Sequence, residues 1–131
     1  MVTGGLLDLV RWGMHRLENL KVWKAANTLA RMAYRQTMAA PLDRHFGLAD
    51  QIRRAGVSIP ANLAEGYGLG TTPQLIRHVR IALASAYELR VHLEVARDMH
   101  LTSAKATESS LSLTNEVVRM LIGMLKGLQR R

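Results

Sequence analysis

Apolar residues recur along most of this chain three and four positions apart, the spacing that gathers side chains on one face of an α-helix. Leu20, Trp23, Asn27, Ala30 and Tyr34 keep it in a segment predicted to be helical from about Asn19 to Ala39, which Pro41 ends. Leu48, Ile52, Ala55, Ile59 and Asn62 keep it in a second segment, capped by Asp43 and running to about Glu65. Pro60 removes the bond from its own nitrogen to the carbonyl of Gly56, so a kink is expected there. Gly66, Gly68 and Gly70 then make a turn, with Gly66 suited to a left-handed C-terminal cap. In the third segment Thr72 and Pro73 read as N-cap and first helical position. Leu75, Val79, Ala82, Ala86, Leu89, Leu93 and Ala96 form its unbroken heptad seam, which ends near His100. Thr102 or Ser103 can cap a fourth helix, with the seam Leu111, Thr114, Val118, Leu121, Leu125 and Leu128, running to about Gln129. No strand-like alternation of any length interrupts this pattern.

Four helices of roughly 20 to 28 residues joined by short links predict an all-α fold, an antiparallel up-down-up-down four-helix bundle. Residues 14–131 make the bundle domain. Residues 1–13, broken up by Gly4, Gly5 and Gly13, read as an N-terminal extension. A second stripe on helix four, Leu113, Val117, Met120 and Met124, lies beside its seam. It is either a broad core face or the contact between subunits of an oligomer, since exposed apolar patches mark interfaces.

Composition narrows the chemistry. At 131 residues the chain is long enough to bury a core without covalent staples, and it has no cysteine. Its longest uncharged stretch, Gly66 to Ile76, is eleven residues, too short to span a bilayer. Asp8 in the first apolar run and the lack of a basic start argue against a secretory signal, so the expected setting is the cytoplasm. Ser58, Asn62 and Glu65 share a face of helix two, and Ser85, Glu88 and His92 share a face of helix three. These antiparallel neighbours could bring the two triplets together. A dimetal bundle needs Glu-x-x-His twice, and this chain has none. No nucleophile with a base and an orienting group can be assembled either. The expected protein is therefore not an enzyme and needs no cofactor. Ser58, Asn62, Glu65, Ser85 and Glu88 are expected to form a structural polar network, with Glu65 or Glu88 accepting from amides of the following turn. The Gly-Tyr-Gly-Leu-Gly run at 66–70 lacks the strand and the Lys-Ser or Lys-Thr of a phosphate loop. The five histidines, His15, His45, His78, His92 and His100, form no ligand pair.

Charge is the remaining feature. Eighteen Lys and Arg stand against ten Asp and Glu, a net of +8. Lys21, Lys24, Arg31 and Arg35 form one stripe on helix one, and no acid follows Glu18 until Asp43. Arg53 and Arg54 lie on helix two, and Arg77 and Arg80 on the first turns of helix three. Residues 17–40 hold four bases and one acid, and residues 102–131 five bases and two acids, so the excess gathers on the first and last helices. Unbalanced positive charge attracts polyanions by counterion release, without base contacts. Only six residues are aromatic, which argues against stacking on single strands. The eight cations just named are the candidate contacts to the phosphates of structured RNA or DNA. Arg53 could instead pair with a carboxylate such as Glu65 or Glu88. The alternative function is a scaffold that recruits an acidic protein.

The stretch FGLADQIRRAGVSIPANLAEGYG, residues 46–68, resembles the signature of the four-helix bundle proteins encoded in intervening sequences of bacterial 23S ribosomal RNA genes, also called S23 ribosomal proteins. ENLKVWKAANTLA and IALASAYELRVHLEVA fit as well, so the likeness covers about residues 16–129. Gln51, Arg53, Ser58, Asn62, Glu65, Gly66, Ser85 and Glu88 fall in register. Leu69 stands where the family usually has arginine, Ala84 where it usually has glycine, and residues 1–13 have no counterpart. The resemblance implies an up-down bundle and, in relatives, a ring-shaped homopentamer. The chain is also similar to the accessory variability protein of diversity-generating retroelements, which implies a basic oligomer that binds nucleic acid and a reverse transcriptase.

Overall fold

The computed structural model describes residues 16–130. Four long helices follow one another: α1 (Lys21–Gln36), α2 (Phe46–Leu69), α3 (Thr72–Asp98) and α4 (Ala104–Gln129), with a short 3-10 turn at Leu42–Arg44. Among the described residues there is no strand, and no helix is long and apolar enough to cross a membrane. Contacts run α1 to α2, α2 to α3, α3 to α4 and α4 back to α1. The chain is an all-α up-down-up-down four-helix bundle, with α3 diagonally across from α1. The expected extension at residues 1–13 lies outside the described residues.

Helix ends follow local chemistry more closely than the sequence pattern alone suggests. α2 starts at Phe46, because a 3-10 turn occupies the segment that Asp43 was expected to cap. It runs on through Pro60 to Leu69, and Gly70, with φ of 77°, takes the left-handed cap position. Gly66 is therefore inside the helix, not at its end. Thr71, one residue before the expected position, caps α3 by accepting from the Gln74 amide, with Pro73 in the first turn. Ser103 caps α4 in the same way through the Ala106 amide.

The core seam of α3 is as expected: Val79, Ala82, Ala86, Leu89, Leu93 and Ala96 are fully buried. That of α1 is shifted. Val22, Ala26, Leu29 and Ala33 face the core, while Tyr34 is largely exposed and Trp23 only half-buried. The large aromatic rings, which dominated the sequence pattern, sit on the shoulder of the helix. Small residues let α1 approach α2, where a Cβ on Gly56 would lie 3.6 Å from the Ala33 Cβ.

On α4 both stripes turn inward. Val117 is completely buried, and Leu113, Met120 and Met124 are half-buried against the same core. Val117 is thus core and not a subunit contact, because α4 wedges between α1 and α3 and needs a wide apolar face.

Candidate functional site

Helix α1 presents Lys21, Lys24, Arg31 and Arg35 to solvent in one stripe. Fourteen residues separate its ends, about 21 Å at 1.5 Å per residue. The neighbouring helix α4 adds exposed Lys105, Arg119, Lys126 and Arg130, with Glu108 and Glu116 as its acids. None of the four α1 cations, nor Arg119 or Lys126, forms an ion pair among the described residues. Among the described residues the only side-chain bond in the stripe is a long one, 3.5 Å from the Arg31 guanidinium to the Thr28 hydroxyl.

The other four candidate cations are placed differently. Arg53 is half-buried: its Nε donates to the Thr37 hydroxyl at 2.7 Å, and its guanidinium lies 5.0 Å above the Tyr34 ring. Arg53 therefore clamps α2 to the end of α1, and it pairs with neither Glu65 nor Glu88. Arg54 is bound to Asp50 at 2.9 Å one turn away. Arg77 and Arg80 are exposed and form no ion pair among the described residues, but they lie on α3, across the bundle from the α1 stripe.

The α2–α3 seam holds a polar chain. The Ser58 and Ser85 hydroxyls bond at 2.8 Å, and Asn62 Nδ2 donates to the Ser58 hydroxyl at 3.0 Å and to its carbonyl at 2.8 Å. Asn62 Oδ1 meets His78 Nδ1 at 3.0 Å, and the Glu65 carboxylate is 3.7 Å from the same nitrogen. Glu88 is not part of this network. It faces solvent and pairs with His92 at 3.3 Å. Neither carboxylate holds the turn after α2, because that turn is only two residues long and Thr71 supplies its acceptor. His78, buried at 4% exposure, is the member that sequence reasoning missed. Its position seven residues before Ser85 puts it on the same face, which was the available signal.

A second polar cluster, absent from the sequence reading, joins α1 to α4. Gln36 Nε2 donates to the hydroxyls of Thr102 at 2.8 Å and Thr107 at 2.9 Å, and its Oε1 accepts from Ser110 at 2.7 Å. Gln36, Thr107 and Ser110 are all buried. Gln36 follows Leu29 by one heptad, so helical periodicity points it inward.

Neither cluster assembles a reactive constellation, and among the described residues no group of three or more potential ligands could hold a metal ion. Residues 66–69 are helical, so the glycine run forms no phosphate-binding loop. A cleft of about 190 Å³ opens there between Tyr67, Thr71, Leu75 and Leu128. It is smaller than the clefts that hold nucleotide-sized ligands.

The comparisons agree with this architecture. No curated protein matches the chain. Among solved structures, a protein of unknown function from the S23 ribosomal protein family of Bacteroides thetaiotaomicron is 25% identical, with a TM-score of 0.73 over 80% of this chain and 95% of that one. The family model for the 23S rRNA-intervening sequence protein matches residues 18–123, from the start of α1 to the last turns of α4, so the chain belongs to that family.

Proposed function

We propose that this protein is a non-enzymatic binder of structured RNA or DNA that grips phosphates along the α1–α4 face. The carrying observation is the exposed stripe of Lys21, Lys24, Arg31 and Arg35, about 21 Å long and without an ion pair among the described residues. Cations without partners release the counterions of a nucleic acid when they dock, which favours binding whatever the base sequence. Copies of the chain assembled together would repeat the stripe and widen the basic surface.

Arg53 and Arg54, already engaged within the chain, drop out of the proposed contact set, and Arg77 and Arg80 lie on another face. A scaffold that recruits an acidic protein is the second reading, favoured by exposed apolar side chains on α3. The test is a salt titration of binding to double-stranded RNA and DNA. Affinity should fall linearly with salt on logarithmic axes. Lys24→Ala with Arg31→Ala should reduce that slope by about 2. No binding at about 50 mM salt, where such contacts are strongest, would refute the proposal.

A further inference from the structure

The cations at the end of α4 point away from the α1 stripe. Ser110 faces α1, where its hydroxyl donates to Gln36. Arg119 follows Ser110 by nine residues, about two and a half turns, and so lies on the opposite side of α4. Lys126 follows Arg119 by one heptad and Arg130 follows Lys126 by four residues, so the three share one exposed stripe. On α3, His78 and Ser85 face α2 through their bonds to Asn62 and Ser58. Arg80, two residues past His78, therefore points away from α2, to the edge that α3 shares with α4.

These helices run antiparallel, so the cations meet at one end of the bundle. Arg80 lies about 12 Å along α3 from its start, and Arg119 about 15 Å along α4 from its end. Arg80, Arg119, Lys126 and Arg130 form no ion pair among the described residues, not even with Glu116, one turn before Arg119. Between their stripe and α1, the exposed back of α4 holds Glu116, Gly123 and Gly127 and no cation. A protein partner would need apolar anchors, and α4 exposes no large hydrophobic side chain. Tyr87, on α3, lies about 10 Å beyond Arg80. Cations without apolar anchors suit phosphates.

We infer that this α3–α4 edge is a second phosphate-binding surface, and that the protein bridges two nucleic-acid duplexes, one on the α1 stripe and one on the edge. A single duplex does not reach both. It is stiff over about 150 base pairs and does not bend round α4, whose neighbours lie only about 8–10 Å away. The edge is the weaker surface. Its α4 stripe spans about 17 Å against about 21 Å on α1, and Glu116 borders it. The first duplex therefore fills the α1 stripe and the second fills the edge. Bridging rests on the α1 reading given above, and the experiment keeps the two apart.

The probe is double-stranded RNA of about 20 base pairs, far too short to fold back on itself. One pool carries a donor dye and the other an acceptor. Adding the unaltered protein should produce energy transfer, which should fall again once excess protein gives each duplex its own chain. Arg119→Glu with Lys126→Glu should abolish the transfer. It should leave affinity for one duplex within about threefold, because the α1 stripe remains. Both positions are exposed, and circular dichroism should show the helical signal kept. Arg119→Gln with Lys126→Gln, which adds no repulsion, should lower the transfer in the same direction. Chains held together by protein contacts could bridge through their α1 stripes alone, and transfer that survives both double variants would show that and overturn the inference. So would binding without transfer, or a loss of single-duplex affinity as large as the loss of transfer. No binding at all at about 50 mM salt would instead remove the α1 reading, and bridging with it.

Discussion

The two halves of this bundle treat charge in opposite ways. In the half built by α2 and α3, three arginines pair with acids, Arg54 with Asp50, Arg90 with Glu94 and Arg97 with Asp98. That half also exposes Phe46, Val57, Leu69, Tyr87, Val91 and Val95. In the half built by α1 and α4, cations outnumber acids, the α1 stripe forms no ion pair among the described residues, and α1 exposes Tyr34 while α4 exposes no large hydrophobic side chain. Surface ion pairs contribute little to stability, so pairing in the first half mainly neutralises it. Neutral surface with apolar positions suits contact with another protein. Uncompensated positive surface suits a polyanion. One small domain thus carries two chemically different surfaces on opposite sides.

The seams that hold each half differ as well. The α1–α4 seam depends on one side chain, Gln36, which satisfies hydroxyls from three residues of or beside α4. Gln36→Ala should therefore be the most damaging of the substitutions considered, about 3 kcal/mol, because it leaves the buried Ser110 hydroxyl without its acceptor and takes a donor from Thr102 and Thr107. Chemical denaturation would measure it, and a cost below about 1 kcal/mol would show that those hydroxyls find other partners. The α2–α3 seam depends on close approach. A Cβ at Gly66 would lie 2.9 Å from the His78 Cβ and 3.1 Å from Leu75 Cδ1. The first of these atoms is fixed to the backbone and cannot swing away. Gly66→Ala should cost about 1–2 kcal/mol, the overpacking penalty reduced by alanine's better helix propensity. Gly68→Ala, two residues on with nothing within 4 Å, should instead be neutral or stabilising by up to about 1 kcal/mol. The opposite signs within one turn of one helix make this a sharp check.

How much of this was legible in the sequence depended on which physical signal carried it. The α3 seam was readable because every inward residue is aliphatic and nothing competes with it. The α1 face was read off centre because Trp23 and Tyr34 dominated the pattern: Ala30 was in it and is buried, but Ala26 and Ala33, which lie deeper, were not. Small residues give little hydrophobic signal but allow helices to meet. The end of α2 was placed too early because Gly66, Gly68 and Gly70 all suit a cap, and only packing against His78 shows that Gly66 is needed for space. Ser58, Asn62 and Ser85 were correctly brought together by helical spacing, since α2 and α3 are joined by a tight turn. Glu88 was not, because a four-residue offset reaches His92 on its own helix more easily than a neighbour across the seam. The basic stripe on α1 was legible in full, since exposure of charge needs no partner to specify it.

Charge changes should separate the halves in binding. Removing Lys24 and Arg31 should weaken binding to double-stranded RNA by roughly tenfold or more, evenly across sequences, with the shallower salt slope given above. Removing Arg53 and Arg54 should leave that slope nearly unchanged, since both are engaged within the chain. If instead the two double variants lose affinity equally, the polyanion surface is not confined to the α1–α4 side, and the division between halves fails.

The smallest expected effect concerns Glu65. Its carboxylate is 64% exposed and 3.7 Å from His78 Nδ1, whereas the Asn62 oxygen is 3.0 Å from the same atom and shielded. The hydrogen bond goes to the asparagine, and the carboxylate adds only a screened attraction. Glu65→Ala should thus cost no more than about 0.5 kcal/mol, and added salt should erase even that. Asn62→Ala should cost about 1–2 kcal/mol at any salt, because it takes from the buried His78 its partner inside the seam and from the Ser58 hydroxyl one of its two. Paired thermal melts at low and high salt would distinguish a neutral seam from an ionic one. A Glu65→Ala loss equal to that of Asn62→Ala and sensitive to salt would make the α2–α3 seam ionic, and its neutrality could then no longer be set against the charged side of the bundle.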